Sequence, residues 1–589
     1  MIKTLRRTKI VATIGPVSSS KEVISKLIEE GVNVFRLNFS HGTYESHSNI
    51  IKNIRCVSKE LDTVVGILQD VQGPKIRIGD VEQAGVFLNE GDTYCLTNRP
   101  ITATEEMASV TYENLLTDIK IGATILINDG KMELHVEDVE EDKLVCKIIV
   151  GGLLTKSKGI NFPDSKLSVG SLTEKDKEDI LFGIKERVDM VAVSFVQSAK
   201  DVMEAKDILL KYNYNIPVIS KIECQEALKN LDSIVSVSDG VIVARGDLGV
   251  ELPVEDIPLV QKEIIRKCNE LGVPVVTATQ MLDSMENNPK PTRAEITDIA
   301  NAIFDGTDAV MLSGETAVGK YPIEAVRIMA RIAQKADVEV VKKFKRIKDN
   351  RISNSIVSDS ICMAAANISK NLDAKAILVT TYSGLSAKQI AKYRTPALII
   401  AATPERATLR QLSIVWGVYP LLLPIATDTD TLIKTVVDES HKQKLIKDGD
   451  IVVITGTAGM PLGIAGTTNI LKIEVVSTIL ARGIGVGNDI VCGRAVFALT
   501  PEDAIKKVKQ GDILITTMTD NDFCPAIEKC SAIITEEGGL TSHVSVVSTT
   551  FRKSIVIGVS DIFERVEENQ IITIDPRRGL IFAGELKIV

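Results

Sequence analysis

Short apolar runs rich in valine and isoleucine recur along the first 315 residues, separated by stretches with the periodicity of amphipathic helices. A run that is apolar at nearly every position is typical of a strand buried on both faces. Strands in alternation with helices predict a closed parallel barrel of the (β/α)8 TIM type. The eight runs are KIVATI, NVFRLNF, VVGILQD, DMVAVSF, IPVISKI, DGVIVAR, VPVVTAT and DAVMLSG.

The pattern changes between the third and fourth runs. Residues 72–168 alternate apolar and polar positions over short stretches, with Gly-Asp and Asn-Asp-Gly turn signals between them. This pattern predicts a small β-barrel domain inserted into a TIM barrel made of residues 1–71 and 169–345. A module at the catalytic edge of a barrel can serve as a lid.

A second α/β region follows the barrel. The runs AKAILVTTYSG, PALIIAATP, GVYPLLLP and GDIVVITGTAG alternate with helical stretches, which predicts a doubly wound α/β domain over residues 346–475. The glycine-rich stretch ARGIGVGNDI then suits a linker. Residues 486–589 are enough for an extra small C-terminal domain.

Composition narrows the class of protein. The chain is 44% hydrophobic and 25% charged with a net charge of -9, which argues against nucleic acid or an acidic membrane as the main partner. The nine cysteines form no CxxC pair, as expected for a reduced chain. No segment has eighteen uninterrupted apolar residues. We therefore expect a cytoplasmic protein.

Polar residues cluster where the predicted barrel strands end. In FRLNFSHG, the residues Arg36, Asn38 and Ser40 are spaced by two and project to one face of a strand. A cation, an amide and a hydroxyl inside a barrel are hard to explain as packing, although a strand-end hydrogen-bond network is the alternative. In LQDVQGPKIRIG, Lys75 and Arg77 follow Asp70 closely. That clustering indicates either a surface turn with an incidental ion pair or a site for an anion.

Two later strands carry residues suited to a metal ion. SKIEC places Lys221 and Glu223 two residues apart, and ARGDLG places Asp247 where a helix begins. Glu223 and Asp247 would form an oxygen-rich site for Mg²⁺ or Mn²⁺, with Lys221 as a point charge for a phosphoryl oxygen. The amides of Gly246 and Asp247 would suit a carboxylate or phosphate. The alternative is a Lys-Glu salt bridge that closes the barrel.

The seventh and eighth strands end in hydroxyl-bearing motifs, TATQMLDSM and MLSGETA. Their side chains could orient a substrate or relay a proton, although a single hydroxyl at a strand end is usually a cap. The polar residues are Thr277, Thr279, Gln280, Ser313, Glu315 and Thr316.

In their order and positions, from residue 9 to about 475, these motifs resemble those of the pyruvate kinases. The resemblance implies transfer of the phosphoryl group of phosphoenolpyruvate to ADP in glycolysis, with Mg²⁺ or Mn²⁺ as cofactor, ADP/ATP as substrate, a homotetramer and allosteric regulation. Arg36 would hold the phosphoryl group, and Lys221 would neutralise its developing charge. Glu223 and Asp247 would ligate the metal.

The resemblance also assigns the rest of the substrate site. The amides of Gly246 and Asp247 would bind the substrate carboxylate, and Thr279 would bind substrate and take part in proton delivery. Ser313 is a further substrate-binding candidate, weaker than Lys221. The residues expected to face the nucleotide are His41, Asn38, Arg77 and Lys158.

One position departs from many members of the family. Lys75 stands where they have a glutamate, and in those members a monovalent cation, normally K⁺, lies near the residues matching Asn38, Ser40 and Asp70. An ammonium and K⁺ are both compact monovalent cations that suit oxygen ligands. We therefore predict activity without added K⁺.

A loop in the third domain, TTYSGLSA, is a strand followed by a Ser/Gly turn and a helix. It matches the family's effector loop and would present amides and hydroxyls to a phosphorylated sugar or nucleotide. An ordinary helix cap is the alternative. The residues are Thr381, Ser383, Gly384 and Ser386.

The tail motif TEEGGLTSHVSVV resembles the phosphohistidine motif of the swivelling domain in phosphoenolpyruvate synthase and pyruvate phosphate dikinase, with His543 at the phosphorylated position. We favour a structural or regulatory module over an active phosphocarrier, because direct transfer needs no histidine step. Two other hypotheses stay open: a histidine-phosphorylating enzyme of the synthase kind, and a non-catalytic metabolite sensor.

Overall fold

The structure is a computed structural model that describes residues 6–165, 167–168, 170–342, 356–425, 428–457, 468–477 and 479–586. It forms two compact units, one of Met1–Met363 with Thr381–Leu422 and one of Ala364–Thr380 with Leu423–Val589. The predicted domain limits at residues 1, 169, 345, 346 and 589 lie outside the described ranges. Among the described residues, no helix is long and apolar enough to span a bilayer.

The chain begins with strands whose residues are almost all buried, as the apolar runs predicted. Ser20 caps the first helix by accepting a hydrogen bond from the Val23 amide, and Gly31, with φ of 115°, ends it in the left-handed conformation that glycine favours. The elements are β1 (Lys9–Thr13), α1 (Lys21–Glu30), β2 (Val34–Asn38), α2 (Tyr44–Glu60) and β3 (Gly66–Asp70).

The insertion that follows is built mainly from strands, as predicted. Six strands form one sheet in the order β11-β7-β8-β9-β5-β6, and β4 pairs with β10 as a separate ribbon. Their inward side chains make a core of their own. The elements are β4 (Val86–Leu88), β5 (Thr93–Thr97), β6 (Met107–Ser109), α3 (Leu115–Asp118), β7 (Thr124–Ile127), β8 (Met132–Val139), β9 (Leu144–Val150), β10 (Gly152–Leu154) and β11 (Ile160–Asn161).

Five further strands complete the parallel barrel, which closes when the last of them pairs with β1. The closed eight-stranded barrel confirms the predicted fold class. The elements are α4 (Glu174–Glu186), β12 (Met190–Val193), α5 (Ala199–Lys211), β13 (Val218–Ile222), α6 (Gln225–Lys229), α7 (Leu231–Val237), β14 (Gly240–Ala244), α8 (Arg245–Glu251), α9 (Ile257–Leu271), β15 (Val275–Ala278), α10 (Arg293–Asp305), β16 (Ala309–Leu312), α11 (Gly314–Ala317) and α12 (Pro322–Lys342).

An α/β region comes next in the chain. Within the first unit β18 pairs in parallel with β19, and within the second unit β17 pairs in parallel with β20, which pairs antiparallel with β21. The elements are α13 (Ile356–Asn371), β17 (Ala376–Thr380), α14 (Leu385–Ala391), β18 (Leu398–Thr403), α15 (Arg406–Gln411), β19 (Val418–Leu422), α16 (Thr429–Lys442), β20 (Ile451–Gly456) and β21 (Ile470–Val475).

The C-terminal region forms an eight-stranded mixed sheet in the order β22-β29-β28-β24-β25-β26-β27-β23, with two separate apolar clusters. The elements are β22 (Ile479–Arg482), β23 (Ile484–Val486), β24 (Val491–Phe497), α17 (Pro501–Lys507), β25 (Ile513–Thr516), α18 (Cys524–Lys529), β26 (Ala532–Thr535), α19 (His543–Phe551), β27 (Ser554–Ile557), α20 (Ile562–Arg565), β28 (Ile571–Asp575) and β29 (Leu580–Ala583). Short 3₁₀ helices cover Asp283–Glu286, Leu412–Ile414 and Asn521–Phe523.

Candidate active site

Two cations share one buried carboxylate at the carboxyl ends of the barrel strands. Arg36 Nε lies 2.6 Å from Asp70 Oδ2, and Lys221 Nζ lies 3.3 Å from Asp70 Oδ1 and 2.8 Å from Glu223 Oε1. The side chains of both acids are 2% exposed, and those of Arg36 and Lys221 are 11% and 12% exposed. The barrel thus brings together four of the predicted residues in one nearly buried cluster.

The charges in this cluster influence one another strongly. Burial acts to raise the pKa of Asp70, but the Lys221 and Arg36 cations outweigh it and hold that pKa below its usual range. Burial acts in the opposite sense on Lys221, and Asp70 and Glu223 outweigh it, so the pKa of the ammonium is raised. Lys221 therefore stays protonated at neutral pH and can serve as a fixed positive charge but not as a base.

The donor set at Glu223 and Asp247 fits a divalent cation. Glu223 Oε2 accepts a hydrogen bond of 2.8 Å from the Phe195 amide. Burial raises the pKa of Glu223; Lys221 lowers it and the Asp247 carboxylate raises it further, so the two acids repel each other. Among the described residues no group of three His, Cys, Asp or Glu could hold a metal. Two carboxylates match the way Mg²⁺ is usually held, with water and substrate oxygens completing its coordination.

Helix α8 begins beside a turn with an uncommon backbone conformation. The Gly246 amide donates to Thr279 Oγ1 at 2.8 Å, and that hydroxyl donates to the Ala278 carbonyl at 2.6 Å. Thr279 has φ of 66° and Gln280 has φ of 53°. A β-branched residue in this region is strained by about 1–3 kcal/mol, which is typical of residues held in place for function.

Arg245 holds that turn, and sequence reasoning missed it. Its Nε donates to the Ala278 carbonyl at 3.2 Å and its Nη2 to the Thr279 carbonyl at 2.6 Å. Its Nη1 binds both carboxylate oxygens of Asp298 at 2.9 and 2.7 Å. In the sequence, Arg245 is noticed just as the residue that precedes Gly246. No neighbouring residue predicts its ion pair with Asp298, which lies 53 positions away.

Ser194 is a second residue that the sequence did not single out. Its hydroxyl accepts a hydrogen bond of 2.8 Å from Lys221 Nζ and donates to the Val71 carbonyl at 2.7 Å. The available signal was a polar residue at the end of an apolar run, the same signal that marks Asp70. Ser194 therefore helps to orient the ammonium of Lys221.

Three further hydroxyl-bearing residues lie on or just after the last two barrel strands. Thr277 is buried and donates to Thr307 Oγ1 at 3.0 Å, which is a structural contact. Ser313 lies half-buried at the end of β16, with its amide donating to Glu315 Oε2 at 2.7 Å. Thr316 is buried and donates to the Thr13 carbonyl at 2.8 Å.

The residues expected to face the nucleotide lie in two places: Arg77 and Lys158 where the chain passes between the barrel and the inserted domain, and Asn38 and His41 at the end of β2. Arg77 forms a β-bridge with Gly159 and donates from Nη1 to the Ser157 carbonyl at 3.1 Å, which places it beside Lys158. Asn38 Oδ1 accepts from the Ser40 amide at 3.1 Å. His41 is exposed in the turn that follows β2.

Lys75 lies outside the buried cluster. Lys75 is exposed. A Cβ built on Gly159 would lie 3.9 Å from Lys75 Cε, so the side chain runs along the inserted domain.

The predicted effector loop forms a turn that caps α14. Thr381 Oγ1 accepts a hydrogen bond of 3.0 Å from the Gly384 amide, and Gly384 has φ of 82°. Ser383 is exposed, and Ser386 lies half-buried in the first turn of the helix.

His543 is the first residue of α19 in the C-terminal region. Its Nδ1 lies 3.2 Å from Thr519 Oγ1, and its Nε2 lies 2.9 Å from Asn521 Oδ1. Neutral partners therefore hold both ring nitrogens.

Comparison with known proteins identifies the relatives of the chain. Residues 5–326 match the family model "Pyruvate kinase, barrel domain", 359–474 match "Pyruvate kinase, alpha/beta domain", and 508–579 match "PEP-utilising enzyme, mobile domain". Pyruvate kinase 2 of Synechocystis is 46% identical over 99% of this chain and 98% of its own length. The pyruvate kinase of Geobacillus stearothermophilus is 45% identical over 99% and 100%. The crystal structure of a Cryptosporidium parvum pyruvate kinase, 37% identical, covers 80% of this chain and 96% of its own with a TM-score of 0.74.

Proposed function

Because the chain belongs to the pyruvate kinase family and is a phosphotransferase, we propose that the buried Arg36, Asp70, Lys221 and Glu223 cluster is where phosphoryl transfer takes place. The observation that carries this proposal is the pair of cations fixed on one carboxylate at the strand ends. Such an arrangement suits phosphoryl transfer. Catalysis of that reaction depends mainly on positioning the reactants and on electrostatic stabilisation of the transferred group.

In the proposed reaction a terminal phosphate oxygen of ADP attacks the phosphorus of phosphoenolpyruvate. The bond between phosphorus and the enol oxygen breaks, its electron pair stays on that oxygen, and a proton then adds to the methylene carbon to give pyruvate. Arg36 holds the phosphoryl oxygens, and the permanently charged Lys221 stabilises the negative charge that builds up on them. Asp70 keeps both cations in place.

Glu223 and Asp247 would hold Mg²⁺ or Mn²⁺. When bound, the ion supplies a Lewis acid that offsets the negative charge of the phosphoryl and carboxylate oxygens. The amides of Gly246 and Asp247 would bind the substrate carboxylate, which would displace the Thr279 hydroxyl from the Gly246 amide and free it to take part in proton delivery. Ser313 would contact the substrate from the neighbouring strand.

Arg77 and Lys158 would face the phosphates of ADP, with Asn38 and His41 on the barrel side. Two adjacent cations on neighbouring strand segments support this proposal, because a diphosphate needs more than one counter-charge.

We further propose that the enzyme works without K⁺. In this proposal the Lys75 side chain turns from solvent toward Asn38, Ser40 and Asp70 and supplies the monovalent charge. Turnover in tetramethylammonium salts equal to that in K⁺ salts would support the idea. Activity close to zero that K⁺ restores would contradict it.

The regulatory proposals follow from the family. Thr381, Ser383, Gly384 and Ser386 would bind a phosphorylated sugar or nucleotide, since their turn places hydroxyls and amides together at the start of α14. A cytoplasmic homotetramer is the proposed assembly. The proposed domains have the limits predicted from the sequence: a barrel, an inserted lid, an effector domain and a structural C-terminal module.

Metal binding tests the site without relying on turnover. In the presence of phosphoenolpyruvate, the electron paramagnetic resonance signal of free Mn²⁺ reports binding directly. We expect Glu223→Gln and Asp247→Asn each to weaken Mn²⁺ binding at least tenfold, and the exposed Glu255→Gln to match the wild type. Wild-type Mn²⁺ affinity in both site variants would contradict the proposed function.

A further inference from the structure

Glu251 joins three parts of the active-site region. It is the last residue of α8, the helix whose first turn carries Gly246 and Asp247. Its Oε2 accepts a hydrogen bond of 3.0 Å from the Gln225 amide, two residues after Glu223. Its Oε1 accepts one of 3.3 Å from Asn161 Nδ2, on strand β11 of the inserted domain.

The inserted domain reaches α8 at a second place. Gly130, in the turn between β7 and β8, has Val250 as its neighbour: a Cβ built on Gly130 would lie 3.9 Å from Val250 Cγ1. The hydrogen bond at Asn161 and the approach of Gly130 both involve the last turn of α8, and both come from the side of the insertion where β11 pairs with β7.

The chain segment around Asn161 carries the candidate nucleotide cations. Lys158 precedes Asn161 by three residues, and Arg77 is bridged to Gly159 in the same segment. A hydrogen bond between Asn161 and Glu251 therefore sets the position of these cations relative to the start of α8.

We propose that Glu251 is a positioning residue for phosphoryl transfer, which holds the nucleotide-facing segment of the inserted domain against the helix that carries Gly246 and Asp247. The inference rests on the roles proposed above for those residues. In-line transfer needs the attacking oxygen held in place, because a misplacement of about 1 Å can cost about a hundredfold in rate. Glu251 would do this as a hydrogen-bond acceptor, with each of its carboxylate oxygens accepting from one N–H donor.

The chemistry of the position calls for a carboxylate. Both partners are N–H donors, so a glutamine would satisfy one of them and turn its own NH₂ group toward the other. Burial raises the pKa of Glu251, the two N–H donors lower it, and the nearby Glu223 and Asp164 raise it further.

The test compares Asn161→Ala and Glu251→Ala, alone and combined, with Lys221→Met and the exposed Asn89→Ala as controls. Two quantities are measured: kcat/KM for ADP at saturating phosphoenolpyruvate, and phosphoenolpyruvate affinity without ADP by equilibrium dialysis with Mg²⁺. Asn161 lies on β11 of the inserted domain and not in the barrel, so the test does not depend on the folding of Glu251→Ala alone.

We expect Asn161→Ala to lower kcat/KM for ADP about tenfold with phosphoenolpyruvate affinity unchanged within twofold. Glu251→Ala should weaken both, because it also releases the Gln225 amide. The double variant should lose no more than Glu251→Ala, within twofold, since the two single changes remove the same bond.

Two results would overturn the inference: a kcat/KM for ADP in Asn161→Ala equal to that in Asn89→Ala, or losses that multiply in the double variant. Either result with an inactive Lys221→Met would leave the proposed function standing. An active Lys221→Met would instead refute the proposed function.

Discussion

Thr279 combines a hydroxyl at the substrate site with a backbone that a β-branched residue seldom adopts. Two replacements separate these properties, because both remove the hydroxyl and only one relieves the backbone. We expect Thr279→Ala and Thr279→Gly each to lower kcat at least tenfold. Thr279→Gly should be the more stable of the two by about 1 kcal/mol in urea unfolding, because glycine accepts a positive φ. Equal stabilities, or wild-type kcat in either variant, would contradict this reading.

At the scale of single residues, the sequence predicted the charged residues of the site but not the residues that hold them in place. The spacing of Arg36 and Asn38 by two was enough to place them on one face of a strand. Ser194 could not be assigned this way, because its bond to Lys221 depends on β12 and β13 being neighbours in the barrel. The position of the Lys75 side chain could not be predicted either, since closeness in sequence to Asp70 does not determine the direction in which that side chain extends.

At the scale of elements, helix α8 is where the substrate site, the strained turn and the inserted domain meet. Arg245, its first residue, makes contacts that depend on a planar guanidinium, since it binds two carbonyls and a carboxylate at once. Lysine keeps the charge but cannot reproduce that fork.

We therefore expect Arg245→Lys to lower kcat/KM for phosphoenolpyruvate about tenfold while KM for ADP stays within twofold, because the turn at Thr279 loosens. Arg266→Lys is the matched control, because Arg266 is exposed on α9 and its ion pair there is with Glu270, one turn along the same helix. Steady-state kinetics with each substrate varied would check this. Equal values for the two variants would show that the fork at Arg245 has no such role.

Elements were easier to predict than contacts between them. Each of the eight apolar runs became one barrel strand, because a strand buried on both faces must be apolar along its length. The inserted β domain was visible from its alternation, but its contact with α8 through Asn161 was not. That contact joins residues 90 positions apart in the chain, and no local pattern encodes it.

At the scale of the whole molecule, the catalytic proposal needs only the first compact unit. Arg36, Lys221, Glu223 and Asp247 belong to it, whereas His543 belongs to the second unit and is held there by neutral partners. We therefore expect His543→Ala to keep kcat within twofold of the wild type. Incubation with ³²P-labelled phosphoenolpyruvate should leave no alkali-stable label on the wild-type chain. Loss of turnover in a folded His543→Ala protein would give the histidine a required step.

The domain order along the chain was predictable from changes in hydrophobic pattern, and the family matches agree with it for the barrel, the α/β region and the tail. Properties that depend on binding partners are not encoded in such patterns. The effector, the monovalent-cation requirement and the assembly therefore stay predictions that solution experiments must decide.

Lys221 is the fixed charge on which the proposed stabilisation of the transferring phosphoryl group depends most. The most direct measurement is the rate of pyruvate release from phosphoenolpyruvate and ADP with Mg²⁺ for Lys221→Met, beside the exposed Lys200→Met on α5. We predict that kcat falls about a thousandfold in Lys221→Met and stays within twofold of the wild type in Lys200→Met. A Lys221→Met enzyme that kept more than a tenth of the wild-type kcat would contradict the account.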